Sequence, residues 1–486
     1  MARLTSAGVD TRAAMGGLPD NTQQLCARIG EAFRRVDPSL ELFLVGGVVR
    51  DLLLGAAAPR DLDFATSAAP AQTERALSAA GGKVFKIGEK FGTIGGIFST
   101  RSGDVQVEIT TYRAEAYEPG SRKPAVAFGQ VLADDLARRD FTINAMALDP
   151  LSGDVHDPFG GQDDLAAGVI RAVGDAAERF AEDPLRLLRA VRFASRLGFA
   201  IDSETTAAIA GTAASLASIS RERVRDELEK ILVGPAPSRG IRLLCDVGLA
   251  DYSLPDVPKL RGMEQEAASA QGRHKDVFSH TLQVLDRTPP RLALRWAALL
   301  HDIAKPATKR IENGKVTFHG HDHKGERMAR RLLGELKVSS ELVDRVGRLV
   351  GLHLRANAYA GEWTDSAVRR FVLEAGEDLL EDLLQLSRAD VTTSRVERRM
   401  AIARSVAELE RRIRELREEE DIARIASPLD GLELMELFGQ GPGRWIQPLK
   451  DQLREMVIEG ELRQDDKAAA AIVAQRLYRR SLETTA

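Results

Sequence analysis

The sequence predicts an α+β protein whose front is a small sheet domain and whose longer remainder is largely helical. Three observations carry this. In the first 150 residues, short apolar runs end in glycine-rich turns, as buried strands do. After "FTINAMALDP" the strand signal fades, and from Asp163 onward Ala, Leu, Arg and Glu recur at helical spacing. With 486 residues, 44% of them hydrophobic, the chain exceeds what one core can hold, so several folded units are expected.

The bulk numbers exclude several classes. Two cysteines cannot form a disulfide framework, and no stretch approaches the roughly 20 apolar residues of a membrane helix. The start, "MARLTSAGVDTRAAMGG", lacks an apolar signal core, so a cytoplasmic protein is expected. The 68 basic and 72 acidic residues leave a net charge of −4, which rules out a uniformly basic coat. A polyanionic partner must therefore meet a local patch.

In chain order, residues 1–22 read as a loose terminus and Gln23 to Phe33 as a helix. "ELFLVGG" reads as a strand, followed by strands at Val84–Ile87, Thr93–Ser99 and Val105–Thr111. The helical remainder is broken at Gly198, Gly234 and Pro255, and "SLPDVPKL" separates one helical block from the next, which starts near "RHKDVFSH". A last block opens near Val396 with the charged helix "ERRMAIARSVAELERRIRELREEE", whose second half, "ERRIRELREEE", alternates charge signs and reads as a solvated strut in preference to an RNA contact. The expected division is 1–22, 23–160, 161–262, 263–395 and 396–486.

The first chemical signal is "LFLVGGVVRDLLLGAAAPRDLDF", Leu42 to Phe64. On a strand, Asp61 and Asp63 share one face about 7 Å apart, while Leu62 and Phe64 turn to the core. Such a pair repels itself unless a cation lies between, and Mg²⁺ accepts hard oxygen ligands while keeping positions for water and phosphate. Gly46 and Gly47 let backbone N–H groups approach a triphosphate at the start of a helix. Glu108, alternating with Val107 and Ile109, can supply a third carboxylate and complete a two-metal site.

These residues resemble the nucleotidyltransferase signature of the bacterial tRNA nucleotidyltransferase and poly(A) polymerase family, class II of the polymerase-β-like superfamily. The resemblance continues through "ARRDFTINAMALDP", "DPFGGQDDLAAGVIRAV", "EDPLRLLRAVRFASRLGF" and "RERVRDELEKIL" in family order, covering essentially the whole chain. It implies a nucleotidyltransferase head with a small mixed sheet, an all-α neck, a helical HD domain and a helical tail. Nucleotide-binding residues follow from it: Gly46, Gly47 and Arg50 in the first motif, then Arg139, Asp140 and Asn144 at the ribose and triphosphate. Asp183 and Arg186, three apart on one expected helix face, are implied to read the Watson–Crick edge of C or A, with Arg189 supporting them. "FKIGEKFGTIGG" is similar to the segment found in CCA-adding enzymes. "TYRAEAYEPGSRKPAVAF" corresponds at full length to the flexible loop, matching at Arg113, Glu115 and Tyr117 and departing at "EPGSRKP".

All but one of the eight histidines lie between His274 and His353. His280, the adjacent His301 and Asp302, then His321, His353 and Asp390 resemble the HD phosphohydrolase order. His319 and His323 flank His321 as alternatives for that position. Imidazole and carboxylate together suit Mn²⁺, Ni²⁺, Co²⁺ or Fe²⁺, and such a centre serves phosphoester hydrolysis. The resemblance implies a cyclic phosphodiesterase, nucleotidase or phosphatase able to repair a tRNA 3′ end. Near the C-terminus "GPGRWIQPLKDQL" resembles the tRNA-contacting tail, with Arg444 and Lys450 facing phosphates and Trp445 either stacking on RNA or filling core.

The resulting expectation is template-independent CCA addition to tRNA from CTP and ATP, without a membrane partner, by a monomer or a homodimer. The rivals are an A-adding enzyme or poly(A) polymerase, and an HD hydrolase with a non-catalytic RNA-binding head.

Overall fold

A computed structural model describes residues 17–56, 61–88, 92–101, 103–116, 125–129, 131–265, 275–312, 315–359, 363–391, 396–419 and 425–485. The chain divides into two compact units, residues 1–253 and 254–486.

The first unit opens with helix α1 (Asp20–Val36), which buries Leu25, Ile29 and Phe33 at helical spacing. Seven strands then form one sheet in the order β3-β4-β5-β2-β1-β8-β9. They are β1 (Leu42–Val45), β2 (Asp61–Thr66), β3 (Lys83–Gly88), β4 (Thr93–Thr100), β5 (Gly103–Thr111), β8 (Ala147–Leu148) and β9 (Val155–His156). The sheet is mixed: β2 runs parallel to β5, and the other pairs are antiparallel. A separate hairpin pairs β6 (Arg113–Ala116) with β7 (Ala125–Phe128), flanking residues 117–124 of the expected loop. Tyr117 of that loop and Phe91 of "FKIGEKFGTIGG" lie outside the described residues.

The core of this sheet holds Phe43, Val45, Ala65, Tyr112, Leu136 and Val173. Helix α2 (Gly47–Leu53) follows β1 directly, and α3 (Pro70–Ala79) follows β2. Helix α4 (Leu132–Ala137) precedes β8 and β9, after which the chain turns mostly helical, through α5 (Ala176–Glu182), α6 (Leu185–Leu197) and α7 (Arg221–Leu232). Helix α6 presents Leu187, Leu188, Val191 and Ala194 to its neighbours α7 and Pro237–Asp246.

The second unit is helical apart from short two-stranded pairs. Helices α8 (Val277–Arg287), α9 (Leu292–Leu300), α10 (His321–Glu335), α11 (Ser340–Asn357) and α13 (Glu377–Asp390) surround a buried polar cluster. Helix α12 (Asp365–Ala375) lies between α11 and α13 in the chain. Helix α14 (Val396–Glu419) corrects the expectation of a solvated strut in its second half: Ile413 and Leu416 are buried there, in line with Val406 and Leu409 before them, and the helix packs on α12 and α13. The chain ends in α15 (Ile446–Glu459) and α16 (Lys467–Thr485). No helix among the described residues is long and apolar enough to cross a membrane.

Candidate active sites

The alternation of Asp61-Leu62-Asp63-Phe64 produces the expected geometry, with both aspartates exposed and Leu62 and Phe64 buried. Parallel pairing places Glu108 of β5 opposite Asp63 and Gln106 opposite Asp61, so all four share one face. Gln106 Nε2 donates to Glu108 Oε1 at 3.0 Å. Asp63 sits in a cleft of about 170 Å³, lined also by Glu108, Thr110, Arg113, Asp135, Arg138 and Arg139. Loss of bulk water in that cleft, then the charges of Glu108 and Asp61, push the Asp63 carboxyl above the usual carboxylate range, against the pull of Arg139. A divalent cation relieves that repulsion, so these acids fit Mg²⁺.

The same cleft also gathers cations. Arg113, Arg138 and Arg139 line it against Asp135, and Arg113 Nε is buried without a hydrogen-bond partner. Three guanidinium groups against one supporting carboxylate leave positive charge for an anionic ligand. Gly46 adopts φ +75°, and a Cβ there would come within 2.9 Å of Arg139 Nη1. Glycine is thus required for the backbone angle, and a side chain there would also displace the Arg139 guanidinium. Gly47 begins the seven-residue helix α2.

Behind this wall lies a buried polar chain. Arg50, 2% exposed, donates from Nη1 to Asn144 Oδ1 at 2.7 Å. Asn144 Nδ2 donates to Asp140 Oδ1 at 3.0 Å, and Arg189 Nε of α6 donates to Asp140 Oδ2 at 2.7 Å. Burial alone would raise the Asp140 carboxyl, but Arg189, Asn144 and the Phe141 N–H hold it below the usual range. Arg50, Asp140 and Asn144 are therefore enclosed and joined to one another, with Arg189 bound to Asp140.

The expected Asp183 and Arg186 geometry needs correction. They do not stand on one helix: Asp183 is extended (φ −141°, ψ 97°) between α5 and α6, because Pro184 pushes the preceding residue out of helical geometry. Asp183 Oδ1 caps the Leu185 N–H at 3.1 Å, and Oδ2 accepts from Arg223 Nη2 of α7 at 2.8 Å. Arg186 pairs with Glu182 and donates from Nη2 to the Arg138 carbonyl at 2.8 Å. Sequence reasoning missed Glu182, Arg223, Arg138 and Asp135. Asp135, standing three and four residues before the two arginines, and Glu182, four before Arg186, each carried a signal.

In the second unit, two groups have ligand atoms within 4.8 Å of one another: His280, His301 and Asp390, and Asp302, His321 and His353. All six predicted positions are therefore brought together. His321 is buried, whereas His319 and His323 are exposed. His280 Nε2 lies 2.9 Å from Asp390 Oδ1, and His301 Nε2 lies 3.3 Å from His280 Nε2. The Nδ1 atoms of His301, His321 and His353 face the carbonyls of Ala298 (2.9 Å), Phe318 (2.7 Å) and Val350 (2.7 Å). That arrangement makes each Nδ1 the donor, so that Nε2 is the atom each ring can offer a metal once it carries no proton.

Two observations fit a cation at this cluster. His321 Nε2 is buried with no hydrogen-bond partner. His301, although burial works against it, is pushed up to about 10 by Asp302 and Asp390, while burial and the neighbouring His301 drive His353 down to about 4. Imidazoles facing one another in opposite states signal a place built for positive charge. Lys305, one turn after Asp302 and 5% exposed, holds Asp302 Oδ2 at 2.7 Å and was not anticipated.

In the tail, Arg444 is exposed and Lys450 half-buried. Trp445 lies 5.6 Å from the Phe438 ring and 5.5 Å from Tyr478, in an aromatic cluster of the protein itself.

Three known families match this chain: "Poly A polymerase head domain" over residues 42–171, "Probable RNA and SrmB- binding site of polymerase A" over 198–260, and "HD domain" over 277–395. The chain is 35% identical over 444 residues to an A-adding tRNA nucleotidyltransferase of Deinococcus radiodurans, covering 88% of this chain and 94% of that protein. It is 31% identical over 429 residues to a CCA-adding enzyme of a Geobacillus species, covering 87% and 90%. The crystal structure of the Bacillus stearothermophilus CCA-adding enzyme in complex with CTP superposes with a TM-score of 0.67 at 27% identity, over 96% of this chain and all of that one.

Proposed function

The chain belongs to the tRNA nucleotidyltransferase and poly(A) polymerase family, and from that premise we propose that it adds CCA to tRNA 3′ ends from CTP and ATP without a nucleic-acid template. The observation that carries this is the cleft itself, which gathers Asp63 and Glu108 with three arginines in one space. Asp61, Asp63 and Glu108 would hold Mg²⁺, which when bound neutralises phosphate charge and favours the ionised 3′-hydroxyl. Arg113, Arg138 and Arg139 bind and orient the triphosphate, and the enclosed Arg50, Asn144, Asp140 and Arg189 chain keeps their side of the cleft rigid. Asp183 accepts from the exocyclic amine that C and A share, and Arg186 donates to ring acceptors. Their present partners, Arg223 and Glu182, fix where each points.

The domains follow as a head (23–160), a neck (161–262), an HD domain (263–395) and a tail (396–486) whose Arg444 and Lys450 touch tRNA phosphates. The second centre, His280, His301, Asp302, His321, His353 and Asp390, would hold a transition metal that supplies water activation for hydrolysing a 3′-terminal phosphoester. Such an enzyme trims damaged ends before extension, in the cytoplasm where tRNA is used.

One observation favours a second reading, A-addition alone: the 35% identical relative is an A-adding enzyme. Incubating tRNA lacking CCA, and tRNA ending in CC, with each nucleotide separately decides between them. Two C residues from CTP followed by one A support CCA addition. Extension of the CC end only, by a single A, replaces it with the second reading, and unlimited A addition makes the chain a polymerase.

A further inference from the structure

Asp135 is a carboxylate 1% exposed within α4, and two cations share it. Its Oδ1 accepts from Arg138 Nη2 at 2.6 Å and Nε at 3.0 Å, and its Oδ2 accepts from Arg139 Nη2 at 3.2 Å. Both guanidinium groups line the cleft that contains Asp63 and Glu108. Arg139 is held further by the Asn144 carbonyl and by the space at Gly46. Arg138 carries a second duty, since its own carbonyl accepts from Arg186 Nη2 at 2.8 Å. The turn that presents guanidinium groups to a phosphate thus also fixes the guanidinium assigned to the base. A neutral amide of the same shape offers one acceptor oxygen where the carboxylate offers two, and turns N–H bonds toward the other arginine.

Resting on the nucleotidyl-transfer reading above, we propose that Asp135 is a positioning residue of that site, setting triphosphate grip through Arg138 and Arg139 and base choice through the Arg138 carbonyl and Arg186. One carboxylate then couples the two ends of the incoming nucleotide: loosening it degrades affinity and discrimination together. A role limited to holding the fold would change neither quantity per folded molecule.

The test uses the full-length chain with Mg²⁺ and tRNA lacking CCA, comparing wild type with Asp135→Asn and Asp135→Glu. The readouts are KM and kcat for CTP, the ratio of CTP to UTP incorporation, equilibrium binding of CTP, and the thermal unfolding midpoint. Asp135→Asn is expected to raise KM and the CTP dissociation constant about tenfold, the span of one broken charge-assisted contact. It should narrow the CTP to UTP ratio and lower kcat far less. Asp135→Glu, which keeps two acceptor oxygens, should recover part of the loss. Should Asp135→Asn fail to fold, Arg138→Lys removes the guanidinium fork with Asp135 intact and is expected to raise KM in the same way. Wild-type KM and wild-type discrimination in a folded Asp135→Asn protein would overturn the inference. A wild-type chain that incorporates no nucleotide removes the parent reading and this inference together, whereas an active wild type with an indifferent Asp135→Asn removes the inference alone.

Discussion

Asp63 concentrates the electrostatic tension of the first unit, because its acidic neighbours Glu108 and Asp61 and its cleft all resist ionisation. A folded-state pKa raised above the unfolded one gives a stability cost in this direction. Below the unfolded value the group is protonated in both states and the cost is absent; it grows as pH rises through the folded value and is full above it. Asp63→Asn is therefore expected to raise the unfolding temperature at neutral pH in the presence of chelator while abolishing nucleotide incorporation. Thermal scans across pH check this, and a variant less stable than wild type at neutral pH refutes it. Gly46→Ala tests the same cleft from the backbone side. Its φ of +75° with ψ −135° lies outside even the left-handed helical region and costs an alanine about 1–3 kcal/mol, and the displaced Arg139 should weaken CTP binding besides. How legible these residues were depended on the reach of their partners. The placement of Asp61 and Asp63 on one face follows from alternation along a strand, a local property, whereas Glu108 joins them through the register between β2 and β5. The bond between Glu182 and Arg186 was legible too, since they stand four apart within "EDPLRLLR", but the bond Asp183 makes to Arg223 joins residues forty apart, which no spacing within that stretch contains.

At the scale of elements, the sequence expectation failed where a local signal was overruled or overlooked. Pro184 in "EDPLRLLR" was itself the warning that Asp183 leaves the helix, since the residue before proline is driven toward extended geometry. Helix α14 failed differently. Its arginines and glutamates dominate the composition, but Val406, Leu409, Ile413 and Leu416 form a stripe at helical spacing that α12 and α13 cover. Leu409 is fully buried, so Leu409→Ala should cost about 2–5 kcal/mol of stability in the second unit, measured by denaturant unfolding. A change below a few tenths of a kcal/mol would return α14 to the status of a solvated strut. The strands, in contrast, fell within a residue or two of their expected bounds, because glycines mark their ends.

For the whole molecule, two compact units with separate clusters of chemistry imply two separable responses to metal. In chelator-stripped protein, His301 is the cation between Asp302 and Asp390. Its folded pKa of about 10 exceeds the ordinary 6.5, so the stabilisation from its proton is complete below 6.5 and is lost as pH rises through about 10. A metal bound through His301 Nε2 must displace that proton. Mn²⁺ affinity should then climb with pH between 6.5 and about 10, and uptake at neutral pH should release protons into weakly buffered solution. Binding also stabilises by mass action, by about 2.7 kcal/mol when the free ion stands at a hundred times its dissociation constant. Calorimetry on the full chain should show that increment in the transition of the second unit, and its loss in His301→Ala and Asp302→Asn, while the transition of the first unit stays in place in both variants. If those substitutions leave the Mn²⁺ response of the second unit unchanged, the six side chains are a buried polar cluster and not a metal centre. If Mn²⁺ uptake releases no protons, His301 is not among the ligands.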